Sequence, residues 1–379
     1  MSKFCRLYKK SRSLASFTLV EMLVTVGILV IVLGILLQLT NQISKVWQSS
    51  NSRIQTFQEA RTGFEAMTRR LGQATLNTYY DYYQTNSSGV GSLRTTANSS
   101  TFVPNTYDRV SELHFVSGQL SSLLPSTMTN QTHSVFFQTP AGYSVQYQQL
   151  DNALNACGYF LQFGTASSSV PNYVANAAGY KPRYRYRLME MMQPTENLGV
   201  YYGAPTDWFV NNAASNSRIV AENVIALVLL PKLTPTEDPT GTALAPKYNY
   251  DSRIGLGATS DTNWTGASSF PGDSFTTTTS TGTTVTLTRH NQLPPLMHVV
   301  MIVIDEPSAI RLQAGSTTVP SALNFSTLFT DATKLTNDIQ KVEDVCNAKT
   351  GNLTGNTIPL NYRIFTSDVI LRDAKWSNK

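Results

Sequence analysis

Residues 16–39 read SFTLVEMLVTVGILVIVLGILLQL, and from Phe17 to Leu39 the only charged side chain is Glu21. A helix of that length rises about 35 Å, against about 30 Å of hydrocarbon in a bilayer, so the stretch predicts a transmembrane helix over 17–39. Lys3, Arg6, Lys9, Lys10 and Arg12 stand before it with no acid among them, and after Glu21 no charge occurs until Lys45. That asymmetry puts the N-terminus on the cytoplasmic side and the rest of the chain, beyond the span, outside the cytoplasm.

An ordinary secretory signal carries about 7 to 15 apolar residues followed by a small-x-small cleavage site. Here the run is too long, no alanine falls between Ala15 and Ala60, and Cys5 precedes the run, where it cannot be the cysteine of a lipoprotein signal. The small residues Ala15 and Ser16 lie before the apolar run instead, with Glu21 shortly inside it. In this arrangement Ser16, Phe17, Thr18, Leu19, Val20, Glu21 and Met22 resemble the type IV prepilin and pseudopilin family. Its motif is a basic leader, a small residue that is usually Gly, and then Phe-Thr-Leu-Ile/Val-Glu; Ser16 in the Gly position is the one departure.

The resemblance implies that a prepilin peptidase and methyltransferase removes a leader, residues 1–16, by cutting between Ser16 and Phe17, and then methylates the new Phe17 amine. It also implies that Glu21 is an assembly residue, pairing with the terminal amine of a neighbouring subunit in a filament. The expected partners are therefore that peptidase, other pilin or pseudopilin subunits, an inner-membrane assembly platform and membrane lipid. Physics gives the carboxylate a reason as well. A charge within a span costs roughly 2.5 to 3.5 kcal/mol on insertion scales and needs a partner, which an amine at Phe17 supplies. Glu21 also sits one turn from the new helix start, where the dipole favours an anion.

The formal charge of +5 and pI near 9.0 suggest nucleic acid until their location is checked. Five of the 29 basic residues lie in the leader, and the remainder balance the 24 acids, so the rest of the chain is formally neutral and no nucleic-acid partner is expected. With 379 residues and 41% hydrophobic content the chain can bury a real core, and its 14% charged residues and Thr, Ser and Asn-rich second half suit a secreted β-rich protein. Cys157 and Cys346 are left to the head. An oxidising compartment allows a disulfide between them, which would contribute roughly 4 to 5 kcal/mol in the chain-entropy model; two unpaired buried thiols are the alternative.

Beyond the span the helical pattern continues through Ile43, Val46, Trp47, Ile54, Phe57, Ala60, Phe64, Met67 and Leu71, and no proline occurs before Pro104. One helix over 17–76 is predicted, its apolar stripe packed on a sheet. Gly27 and Gly34 are spaced for a close helix contact, though glycine is common in such segments. After residue 76 the pattern becomes short and alternating. In PRYRYRLME, Arg183, Arg185 and Arg187 fall on one side and Tyr184, Tyr186 and Leu188 on the other, which predicts a half-buried strand. The runs at 223–230 and 298–304 are continuous and β-branched and read as central strands, with further strands at 134–137, 158–163, 284–288 and 362–371. A late helix is expected over Leu328–Val345, capped by Ser326.

The fold class expected is α+β and pilin-like: a long N-terminal helix on a mainly antiparallel sheet, with a head over 77–379. Residues 231–275 read as a long solvated loop, whose Asp238, Asp251, Asp261 and Asp273 lack the ligand spacing of a compact calcium site. Tyr79, Tyr80, Tyr82 and Tyr83 are expected to pack at the neck. No cofactor, metal or catalytic residue is expected, since HExxH, GxSxG, glycine-rich phosphate loops and CxxC are absent. The histidines His114, His133, His290 and His298 are scattered, with His298 read as a core residue, and Asp305 and Glu306 should face opposite ways.

The head adds a second resemblance. RIVAENVIALVLLPK and LPPLMHVVMIVID are similar to the sheet strands of J-type minor pseudopilins and PilW-like minor pilins. RYRYRLMEMMQPTENLGVY and the terminal VILRDAKWS are similar to the C protein of a four-gene cassette described from Verrucomicrobia, itself a family with a prepilin signal. Two functions follow as expectations. One is a minor subunit of a type II secretion-like or type IV pilus-like filament, held in the inner membrane with its head in the periplasm before assembly. The other is a membrane-anchored adhesion or ligand-binding protein that works outside a filament.

Overall fold

The structure, a computed structural model, describes residues 18–85, 91–124, 131–148, 150–165, 170–201, 203–255, 258, 271–313 and 315–376. The chain divides into two compact units at Ser52/Arg53, and the first helix, α1 (Leu19–Leu71), contributes to both.

In the first unit the apolar side chains of α1 from Leu19 to Leu39 are exposed on every side, and so are Ile43, Val46 and Trp47. This helix is long and apolar enough to cross a membrane. The expected apolar stripe begins to pack only in the second unit, where Ala60, Gly63, Phe64, Met67 and Leu71 are buried and Ile54 is still exposed. Their spacing of three and four residues draws one face onto the head. A Cβ on Gly63 would lie 3.0 Å from Val220 Cγ1 and 3.3 Å from Ala221 Cβ, so the helix approaches the sheet closely there. The helix ends at Leu71 rather than at 76. Gly72, Gln73 and Ala74 close the last turn onto Thr68, Arg70 and Leu71, and Thr75 already bridges to Gln138.

The head holds β1 (Tyr79–Thr85), β2 (Gly91–Leu93), β3 (Thr106–Val110), β4 (Val116–Gln119), β5 (His133–Pro140), β6 (Leu154–Thr165), β7 (Tyr184–Gln193), β8 (Ser217–Glu222), β9 (Val224–Lys232), β10 (Tyr250–Asp251), β11 (Ser274–Thr278), β12 (Thr284–Thr288), β13 (Leu296–Ile304) and β14 (Tyr362–Ile370). They form four sheets in the orders β10-β4-β5-β6-β7-β8, β14-β13-β9, β2-β1-β3 and β11-β12. Every named pair is antiparallel, so the fold is α+β. Two further helices, α2 (Glu306–Gln313) and α3 (Leu335–Cys346), follow β13.

In the β14-β13-β9 sheet, β9 and β13 are covered on both faces, which is why these two strands read as unbroken apolar runs, whereas β14 is largely part-exposed. Val299, Met301 and Val303 enter a core shared with α1 and the six-stranded sheet, while Val300, Ile302 and Ile304 enter a second core with α3. Only β13 is central by pairing; β9 is an edge strand. Its free edge is closed by side chains. Gln131 Nε2 donates to Ile225 O at 2.7 Å, Leu227 N donates to Thr132 Oγ1 at 3.1 Å, and Leu229 N donates to His133 Nδ1 at 3.0 Å. Backbone groups that would otherwise be buried without partners are thereby satisfied.

Several expectations are corrected. The β7 strand is buried on both faces rather than half-buried: Arg185 and Arg187 are covered and hold Glu306 and Glu222 at 3.0 Å and 3.2 Å. The late helix is shorter than its apolar spacing implied, because Leu328 and Phe329 pack from a turn, and Asp331, not Ser326, caps the short 3-10 turn that leads into α3. Of the stretch 231–275, residues 231–255 are no solvated excursion, and most of the rest lies outside the described residues. Leu233, Leu244, Tyr248, Tyr250 and Ile254 are buried, and β10 joins the six-stranded sheet through Tyr250 and Asp251.

Candidate functional site

The residues marked by the N-terminal motif meet at the start of α1. Thr18 N donates to Glu21 Oε2 at 3.0 Å, and Glu21 N donates to Thr18 Oγ1 at 3.3 Å. This is a capping box, each side chain satisfying the other's backbone N–H at a helix end that has no partners of its own. The Thr18 hydroxyl also donates to Glu21 Oε2, at 3.1 Å. Glu21 Oε1 has no partner among the described residues. Ser16, Phe17 and the basic leader lie outside the described residues. The spacing Thr-x-x-Glu was the sequence signal for this cap, and reading Glu21 as an ion-pair partner and as an anion favoured by the helix dipole passed over it.

Where α1 meets the head, two buried carboxylates receive it. Arg53 Nε donates to Asp305 Oδ2 at 3.0 Å, and Asp305 also accepts from Ser308 N and Asn361 Nδ2. Arg70 Nη1 reaches Glu190 Oε1 at 2.7 Å, an oxygen that also accepts from the Tyr159 hydroxyl, while Arg218 holds Oε2. Asp305 and Glu306 share no partner, since Glu306 is held by Arg185, Arg183 and Asn223.

The remaining polar candidates have structural work. His114 is fully buried, with Nε2 on Asp251 Oδ1 at 2.7 Å and Nδ1 accepting from Trp208 Nε1 at 3.1 Å. His133 is equally buried, and burial pushes its pKa down to about 4. His290 lies 2.8 Å from Asp108; burial is the largest single influence and works against its charge, but the bond and charge of Asp108, the Ile254 carbonyl and the charge of Asp273 together outweigh it and raise its pKa. His298 is a correction: it is part-exposed and pairs across β13 and β14 with Asp368 at 2.6 Å. Of the loop aspartates, Asp238 accepts from Thr240 N and Ala243 N, and Asp273 from His290 N. Asp261 lies outside the described residues. Cys157 and Cys346 are free and sit in different cores, so the structure holds two unpaired thiols and no disulfide between them. Burial pushes each thiol pKa up to about 12.

The tyrosines after the helix are the second correction. Tyr83 is buried, but Tyr79, Tyr80 and Tyr82 are exposed on β1. Strand alternation puts Tyr80 and Tyr82 on one face, and the register sets Tyr107 opposite Tyr82 and Arg109 opposite Tyr80. The Tyr82 and Tyr107 rings lie 5.0 Å apart. Beside Tyr80 opens a cavity of about 310 Å³ lined also by Arg109, Gln292, Asp373, Lys375 and Trp376. Reading these tyrosines as buried neck packing missed that a two-residue period gives one face to solvent.

Neither known protein families, nor curated proteins, nor solved structures gave a match to this chain. The site residues therefore stand on their own chemistry: a capped, wholly exposed apolar segment carrying one acid, and a β-rich head whose buried carboxylates Asp305 and Glu190 hold Arg53 and Arg70 of the same helix.

Proposed function

We propose that the chain is a minor pilin-like or pseudopilin-like subunit of a type II secretion-like or type IV pilus-like filament. A prepilin peptidase processes it at Ser16/Phe17, and it assembles through α1. The observation that carries the reading is the pairing of a continuous exposed apolar surface from Leu19 to Leu39 with a single acid, Glu21, whose Oε1 has no partner among the described residues. Such a surface needs lipid or other apolar helices around it, and the Val- and Ile-rich stretch suits a medium where backbone bonds have no competition from water. Glu21 in that medium needs a cation. A neighbouring subunit's Phe17 amine supplies one after cleavage.

The head supports a subunit role in a second way. Arg53 with Asp305 and Arg70 with Glu190 fix the α1 segment beyond Ser52 to the sheet at two heights, so force along the helix reaches the fold through ion pairs as well as apolar contacts. The inner membrane, with the head in the periplasm, is the compartment this reading requires.

Mass spectrometry of the mature N-terminus from the native host tests it. The expected species begins at an N-methylated Phe17. An intact Met1, or a cut elsewhere, would overturn the reading and leave a membrane-anchored ligand-binding protein, to which the open cavity beside Tyr80 would be the relevant feature.

A further inference from the structure

The cavity beside Tyr80 has a built chemical character. Its volume, about 310 Å³, lies at the small end of small-molecule sites. Tyr80 and Trp376 supply aromatic walls, and the face continues along the sheet through the exposed pair Tyr82 and Tyr107. Polar groups of both kinds line the same space. Lys375 and Asp373 make no ion pair among the described residues, although both line it. Gln292 closes the floor of the cavity, its side chain turned away to donate from Nε2 to Thr288 O at 2.8 Å.

We infer that this cavity and the tyrosine face beside it bind a carbohydrate chain, with a sugar ring against Tyr80 and Trp376 and its hydroxyls bonded to Asp373 and Lys375. Sugars present an apolar C–H face for an aromatic ring and vicinal hydroxyls that both donate and accept, which matches a wall with both kinds of polar group. An extended proline-rich peptide is the other common guest of aromatic grooves. It fits less well, because its backbone offers carbonyl acceptors, and the indole donor that would read one is taken: Trp376 Nε1 donates to Leu293 O. A peptide without N–H donors also leaves Asp373 unmet. The inference does not depend on filament assembly.

The test uses the full chain in detergent micelles, titrated calorimetrically with pentasaccharides of β-linked glucose, β-linked N-acetylglucosamine, α-linked mannose and β-linked galactose, and with a polyproline decapeptide. Saturable binding to at least one saccharide is expected. Tyr80→Ala and Asp373→Asn, both at exposed positions, should each weaken it about tenfold or more, while Tyr147→Ala, an exposed tyrosine outside the cavity, leaves it unchanged. Saturation by none of the saccharides, binding that survives both cavity substitutions, or binding of the decapeptide alone would each overturn the inference.

Discussion

Thr18 and Glu21 bond reciprocally at the start of α1, with Glu21 Oε2 accepting the Thr18 N–H at 3.0 Å and Thr18 Oγ1 accepting the Glu21 N–H at 3.3 Å. The acid of the motif therefore has a local task that its ion-pair role does not require, and the two can be separated. Glutamine serves in a capping box as glutamate does, but carries no charge. Both Glu21→Gln and Glu21→Ala should lose at least tenfold in co-purification with other prepilin-signal proteins from the native host, while the head keeps its resistance to proteolysis. Recovery of assembly in Glu21→Gln would reduce Glu21 to a helix cap and remove the proposed pairing with Phe17.

His133 ties the free edge of β9 to the turn before α3. Its Nδ1 accepts from Leu229 N at 3.0 Å and its Nε2 faces Phe329 O at 2.9 Å, so the neutral ring protonated at Nε2 is the form that fits. Burial lowers the pKa from 6.5 to about 4, so between those values the unfolded chain binds the extra proton and the folded chain does not. Stability from this group is full above 6.5 and falls as pH drops toward 4, by roughly 2 kcal/mol between pH 7 and pH 5. His290, raised by Asp108, acts with the opposite sign: its contribution is full below 6.5 and is lost as pH rises through its folded value. Urea unfolding at pH 7, 6 and 5 should show the acid loss, and His133→Gln, less stable throughout, should show a shallower one. An unchanged slope in that variant would assign the acid loss elsewhere.

How much of this was legible beforehand depends on whether an element's partner lay in the same stretch of chain. The apolar helix, the strands at 284–288 and 298–304 and the antiparallel class are local or nearly so: the helix shows in the length of its apolar run, the strand at 298–304 in its unbroken β-branched residues, and the antiparallel class in the lack of helices alternating with strands. Arg185 and Arg187 looked like a solvent face because a charge on an alternating strand usually is one; their cover, Glu306 and Glu222, comes from other parts of the chain. The 231–275 region looked like a surface loop because it has no period. Its aromatics Tyr248 and Tyr250 are nonetheless buried, Tyr248 beside His133 with ring centroids 4.5 Å apart. At the candidate site the Thr18–Glu21 cap was fully legible, whereas the cavity beside Tyr80 is assembled from residues near 80, 109, 292 and 375, which no local motif can join.

Gly158 of β6 shows the same non-local origin. It faces Phe136 of β5 in register, and a Cβ there would fall 2.2 Å from Phe136 Cδ1. Phe136 cannot swing away freely, because its ring stacks on Phe209 at 4.4 Å. Gly158→Ala should therefore destabilise the head by about 1 to 3 kcal/mol, the usual range for overpacking. A cost below about 0.5 kcal/mol in urea unfolding would mean that the aromatic stack is looser than its geometry indicates.

Cys157 and Cys346, with pKa values pushed up to about 12 by burial, expose almost no thiolate near neutral pH. Iodoacetamide at pH 8 should leave both unmodified in the folded protein and alkylate both in urea, with or without prior reduction, as peptide mapping reads. Alkylation that appears only after reduction would show a disulfide that the separate placement of the two residues in different cores does not permit.

Arg53 and Asp305 form an unequal pair, and the inequality sets the outcome of replacing each. The Arg53 side chain is 44% exposed, whereas that of Asp305 is 0% exposed and accepts from Ser308 N at 2.9 Å and Asn361 Nδ2 at 3.0 Å besides Arg53. Removing the arginine leaves a carboxylate that still holds two donors, and a part-exposed ion pair is worth about 1 kcal/mol or less. Removing the aspartate strands those donors and takes away the N-cap of α2, which together should cost about 2 to 4 kcal/mol. In a double-mutant cycle of Arg53→Ala and Asp305→Ala, read by urea unfolding, the aspartate should dominate and the coupling should stay near the arginine's own cost. Equal single-mutant costs would mean that Asp305 serves only to hold α1, and that the start of α2 is secured by other groups.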